Sequence, residues 1–233
     1  MASKGVRVAA AQAQSQPAMR RRPRQSRAQA SSQALQEAFV RVLLDVGYEK
    51  TTVREVVAVA GVGVGTFYEY FGNMQALAAL VVHQHVKALA QQARAAARGS
   101  AGLPLAQVVA GQLHAQVAPV LQQAPLWAQL FALERQVSTR DAFARQYEAW
   151  VELWRVALAS AADPPLDAAS AARMLHSMTY GSVSQALLSR GGGGGAGGGA
   201  GPDRDRLWAE LQRAAQAYAA VLARQPISSE NSH

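Results

Sequence analysis

The chain has 233 residues, half of them hydrophobic, and a formal charge of +8; that length allows one large domain or two modest ones with a sizeable core. It contains no Cys, which excludes a disulfide framework, a zinc ribbon and a thiol nucleophile. Charges, Gly or Gln interrupt the apolar stretches before ~18 residues, so no membrane span is expected.

Taken in chain order, the first 30 residues hold Lys4, Arg7, Arg20, Arg21, Arg22, Arg24 and Arg27 and no acid, a charge of +7. The rest of the chain is close to neutral. Residues 1–28, rich in Gln, Ala and Arg with two Pro, are expected to form a disordered basic arm. Such arms seek nucleic acid or another polyanion, a solvated tail being the alternative. Arg20-Arg21 precedes no apolar run, so the arm does not read as an export signal.

From Ser31 the composition predicts helix almost throughout. Leu35, Phe39, Val42 and Val46 fall at helical spacing, and Gly47 stops that first helix. Thr52-Val53-Arg54-Glu55 is a capping box opening a short second helix to Ala60. Gly61-Val62-Gly63 breaks the chain, Val64 to Phe71 forms a third short helix, and Asn73 caps a long fourth one running to about Arg98.

Two short helices joined by a glycine turn form a helix-turn-helix, whose second member enters the major groove. Val56, Val57, Ala60, Val62, Phe67 and Phe71 supply its packing. Val64, Gly65, Thr66, Tyr68 and Tyr70 are left facing outward, where the hydroxyls of Thr66, Tyr68 and Tyr70 reach bases or phosphates.

The stretch from Phe39 to Leu77 resembles the tetracycline-repressor (TetR) family of regulators. Gly47-Tyr48, Thr51-Thr52-Val53, Ala60-Gly61-Val62, Gly65-Thr66-Phe67-Tyr68 and Tyr70-Phe71 carry the likeness. The resemblance implies an all-α homodimer: a three-helix DNA-binding head over residues 29–73 and a helical ligand-binding and dimerisation body over 74–225. It places DNA contacts at Thr52, Arg54, Val64, Gly65, Thr66, Tyr68 and Tyr70. The chain departs from the family's pattern at Gly63, where Ser is usual, at Met74, where Lys is usual, and at Tyr70, where His is usual. Residues 31–72 also sum to −2, a poor charge for phosphate contact. Arg20, Arg21, Arg22 and Arg24 of the arm are the expected compensation.

In the body, Leu105–Gln123, Leu126–Val137, Thr139–Ala161 and Asp167–Ser189 read as helices. A Gly-rich flexible linker follows over 190–202, then a last helix from Asp203 to Arg224 and a disordered tail over 226–233. Phe143, Tyr147, Trp150 and Trp154 follow helical spacing, as do the pairs Trp127/Phe131 and Met174/Met178. Any one of them suits an ordinary core. Together, among so much Ala, they suggest a cavity for a small apolar or aromatic effector, with His114, His176 and Glu134 as orienting polar groups. Trp208, Leu211, Ala215, Tyr218 and Leu222 alternate three and four apart, a bundle seam. With the small residue Gly181 on the preceding helix they suggest a dimer interface, although packing within one chain would serve the same pattern.

Enzyme readings fare poorly. The Gly61–Gly65 spacing is G-x-G-x-G and no acid follows Glu69 before Glu134, contrary to a dinucleotide-binding fold. His83 and His85 do not share a helix face, which argues against a metal site. No nucleophile elbow frames any Ser. The residues therefore point to a bacterial, cytoplasmic, ligand-responsive repressor without cofactor. It would be a homodimer on an inverted-repeat operator in double-stranded DNA. The alternative is a helical scaffold without sequence-specific DNA binding.

Overall fold

A computed structural model describes residues 21–189 and 201–224, which form nine α-helices and one 3₁₀ turn, with no strand among the described residues. Lys4, Arg7, Arg20, the linker up to Ala200 and the tail from Gln225 lie outside them. The first helix, α1 (Arg21–Val46), begins inside the arm expected to be disordered. Arg, Gln and Ala are good helix formers, and Pro23 falls in the first turn, where its missing N–H costs no intrahelical bond.

The head is fixed by local chemistry. Gly47 leaves α1 with φ 78°, a left-handed conformation that side chains with a Cβ resist. The 3₁₀ turn Tyr48–Lys50 leads to α2 (Val53–Ala60), where Thr52 accepts from the Glu55 N–H at 3.3 Å and Glu55 accepts from the Thr52 N–H at 2.9 Å. Gly61, at φ 68°, ends α2 in a Schellman motif: its N–H reaches Ala58 and that of Val62 reaches Val57. Next, α3 (Val64–Tyr70) starts at Gly63 with no side-chain cap. Leu35, Phe39 and Leu43 of α1 join Val56 and Val57 of α2 and Phe67 of α3 in the core. Full burial of each of these side chains contributes roughly 1.5–3 kcal/mol.

The body hangs from α4 (Met74–Gly99), capped by Asn73 Oδ1 on the Ala76 N–H at 2.8 Å. It continues through α5 (Leu105–Gln122), α6 (Ala124–Val137), α7 (Arg140–Ala159), α8 (Ala168–Leu188) and α9 (Gly201–Ala223). The apolar cluster of the head runs on without a break into the body, and α1 packs on both α4 and α6. At the far end, the α4–α5 turn is tied to the α7–α8 connection. Gly102 donates to the Ser160 carbonyl at 2.7 Å, Ala162 donates to that of Leu103 at 2.9 Å, and Asp163 caps α5 through the Leu105 N–H at 2.6 Å.

The α9 seam packs inside the chain. Leu211, Ala215 and Leu222 are buried in its own core, where α9 lies on α5 and α8. Trp208, half-buried, meets the His114 ring edge-on at 5.8 Å, and Tyr218 is also half-buried. Leu211, Ala215 and Leu222 are thus covered within the chain, while Trp208 and Tyr218 keep part of their surface; a three-four alternation marks a buried face without saying whose surface buries it. Gly181 is half-buried, with no atom near the position a Cβ would take.

Candidate DNA interface and effector cavity

On the head, α2 and α3 present the predicted residues unequally. Arg54, Val64, Gly65 and Tyr68 are exposed, Tyr68 at 58% and with its ring edge-on to buried Phe67. Thr66 is half-buried. Tyr70 packs partly on the core and against Phe71, so only part of its ring is free. The Thr52 hydroxyl is already engaged, donating to Glu55 at 2.8 Å while accepting from its N–H. Thr52 therefore acts first as a cap. Arg21, Arg22 and Arg24 lie on the first turns of α1.

In the body, α4, α5, α6, α7 and α8 enclose a cavity of about 60 Å³. Its walls include Val86, Trp127, Phe131 and Trp150, and its polar members are Gln116, Glu134, Gln146, His176, Thr179 and Tyr180. Trp127 and Phe131 lie 5.7 Å apart, and Trp127 also meets His85 of α4 edge-on at 6.4 Å. The His176 ring stacks on Trp150 with an interplanar angle of 5° and a centroid distance of 6.3 Å.

Burial sets the protonation of these groups. It raises the Glu134 carboxyl above its usual range, against the pull of the Tyr180 hydroxyl, which donates at 2.9 Å, of the Gln146 amide, which also donates, and of nearby Arg135. Burial likewise lowers the His176 imidazole to about 4 and raises the Tyr180 hydroxyl. His176 is thus a neutral polar ring at pH 7. The Gln116 Nε2 is buried with no partner among the described residues, an unused donor in the cavity wall.

The structure places Trp127, Phe131, Glu134 and Trp150 together on this cavity. Tyr147 borders a smaller recess of about 20 Å³ beside His176. The other four predicted ligand residues lie elsewhere. His114 is on the exposed side of α5, Met174 is 54% exposed, Met178 packs partly buried on the core without lining the cavity, and Trp154 is fully buried outside the cavity. Helical spacing fixes which residues share a face, but not which neighbouring helix that face meets. Tyr180 and Gln146 escape a reading based on aromatic runs. The available signal was their position one turn from His176 and Trp150 respectively.

A capped helix, a left-handed glycine turn and an exposed second helix, carried on an all-helical body, define a helix-turn-helix DNA-binding regulator. Residues 36–81 match the model of the bacterial regulatory proteins of the tetR family. Solved structures of family members share its fold. A tetR-family regulator from Marinobacter aquaeolei VT8 is 16% identical with TM-score 0.57, covering 83% of this chain and 97% of that one. One from Streptomyces coelicolor is 19% identical with TM-score 0.57, covering 82% and 99%. FadR from Bacillus subtilis, solved in complex with stearoyl-CoA, is 15% identical with TM-score 0.53, covering 82% and 97%. No curated protein sequence matches the chain.

Proposed function

We propose that the protein is a homodimeric repressor that leaves a palindromic operator when a small ligand with an apolar or aromatic part enters the body. The observation that carries this is the wall the cavity shares with α4. Val82, Val86 and Leu89 line the cavity, and the same helix begins at the head with Met74. A ligand that displaces Trp127 also presses on His85 of α4. Next to Trp127, buried Leu126 lines the cleft where α1, α4 and α6 meet. Binding in the body thus has two contact routes to the recognition helix. That FadR holds stearoyl-CoA supports a body of this fold as a site for ligands with long apolar parts.

Two heads must fit successive major grooves, ~34–36 Å apart for half-sites one turn apart. Dimerisation then uses the outer face of the α8–α9 pair, where Met174, Ala217 and Val221 are exposed, in place of the buried seam. On bacterial DNA in the cytoplasm, the arginines at the start of α1 add affinity while Gly65, Thr66 and Tyr68 select sequence. No helix among the described residues is long and apolar enough to cross a membrane. Selection of binding sites from random DNA tests the reading, followed by release of the selected site on ligand addition. An inverted repeat is expected. Ligand and DNA must weaken one another by the same factor, about 1–3 kcal/mol of coupling. Recovery of no preferred sequence would leave a helical scaffold as the better account.

A further inference from the structure

The enclosed cavity is small, and most of the free space beside it lies in a groove of about 530 Å³ between α4 and α7. That is the size at which ligand sites usually fall, roughly 300–1,000 Å³. Cavity and groove share Val82, Val86, Gln146 and Trp150 as walls, so one molecule can occupy both. They differ in chemistry. The cavity is apolar with neutral or shielded polar groups, whereas the groove presents His83, Lys87 and Arg94 from α4 and Arg145 from α7, with no acid among its lining residues.

We propose that the effector is an amphipathic anion whose apolar part enters the cavity past Trp150 and whose acidic head lies in the α4–α7 groove, held by Lys87, Arg94 and Arg145. This rests on the reading of the body as an effector site and names the class of ligand.

Spacing and charge support it. His83, Lys87 and Arg94 recur one and two turns apart on α4, so they share a face, and Ala90, Ala142 and Ala149 leave room between the helices. α4 carries no acid at all. On α7, Asp141 and Glu148 flank Arg145 in sequence without lining the groove, and Glu152, one turn beyond Glu148, is held at 2.7 Å by Arg155. Lys87, Arg94 and Arg145 have no carboxylate partner among the described residues, which leaves their charge for a ligand. Ser138 and Thr139, at the N-terminus of α7, close one end of the groove, where the helix dipole adds to the positive potential. A head bound there bridges α4 and α7 directly, so the charged contact acts on the same helix that carries the DNA-binding head.

The test titrates the full chain with dodecyl phosphate, dodecanoate, dodecanol and dodecyltrimethylammonium, each below micelle formation, following tryptophan fluorescence. Both anions should bind at least about tenfold more tightly than dodecanol, the worth of one charge-assisted hydrogen bond. Lys87→Glu or Arg145→Glu should bring the anions to within about twofold of the alcohol. Lys50→Glu, which makes the same change in net charge on the head, should leave the preference intact. Both groove residues are exposed, and circular dichroism checks that the variants fold. The order of phosphate and carboxylate tells which acidic head the groove fits better. Dodecanol binding as tightly as the anions overturns the proposal but keeps the cavity as effector site. Tighter binding of the ammonium overturns it in favour of Glu134 as a counter-ion. If none of the four binds, the effector reading falls with it.

Discussion

The buried imidazole of His176 makes the body's stability depend on pH in a defined direction. The ring is 5% exposed, packed between Tyr147, Trp150 and Tyr180, and burial lowers it from 6.5 to about 4. A group depressed on folding contributes its stability above the unfolded value, and that stability drains away as pH falls towards the folded one. Between pH 7 and 5 the unfolded chain takes up a proton there that the folded chain refuses, at a cost of about 2 kcal/mol, approaching ~3 kcal/mol near pH 4. Glu134 works in the opposite sense. Its raised carboxyl protonates in the folded chain first, so acidification relieves part of its burial penalty. The measurement is therefore a difference: urea unfolding at fixed protein concentration, at pH 7 and pH 5, for the wild type and His176→Phe. The variant keeps a ring in the stack and should lose about 2 kcal/mol less on acidification than the wild type. Equal losses in the two proteins would refute the argument. So would a native-state imidazole titrating near 6.5 by NMR.

Other substitutions test separate roles. Leu211→Ala should destabilise each chain by about 2–5 kcal/mol, as a core cavity does, while Val221→Asp should yield folded monomer by light scattering. Thr52→Ala should cost about 1 kcal/mol in thermal or urea unfolding through loss of the cap, besides any change in DNA affinity. Replacing Arg20, Arg21, Arg22 and Arg24 with Ala should weaken binding to all sequences alike and flatten the slope of log K against log salt, by about 0.9 for each phosphate no longer neutralised. Tyr68→Ala should instead change which sequences are selected. Trp127→Ala should keep operator binding and lose the response to ligand, a pairing that gel shift reads directly.

What was legible in the sequence was what few residues decide among themselves. Thr52 and Glu55 form their box within one turn, Gly61 and Asn73 set the ends of helices next to them, and the head follows from those boundaries. The cavity depends on how helices distant in sequence meet. Trp150 and Trp154 stand one turn apart on α7, yet Trp150 lines the cavity and Trp154 does not. Met174 turns outward although its spacing pairs it with Met178. On α9, the face that looked ready for a second chain is covered by α5 and α8 of the same one. The helical start at Arg21 was hidden for another reason: charge and Gln mark the segment as soluble, but they do not oppose helix.

The crosslink between the α4–α5 turn and the α7–α8 connection holds the far end of α4 by Gly102, Leu103 and Asp163. A helix fixed at one end and pushed in the middle rotates about that end. Val86, on the wall shared by cavity and groove, lies 13 residues from Gly99, roughly 20 Å at 1.5 Å per residue, and Met74 lies about twice as far. The pivot therefore gives a mechanical gain of about two: a side chain that moves α4 by 1 Å at Val86 shifts its head end by roughly 2 Å. Loosening the pivot with Asp163→Ala should leave the effector bound but reduce how much of its push arrives at the DNA.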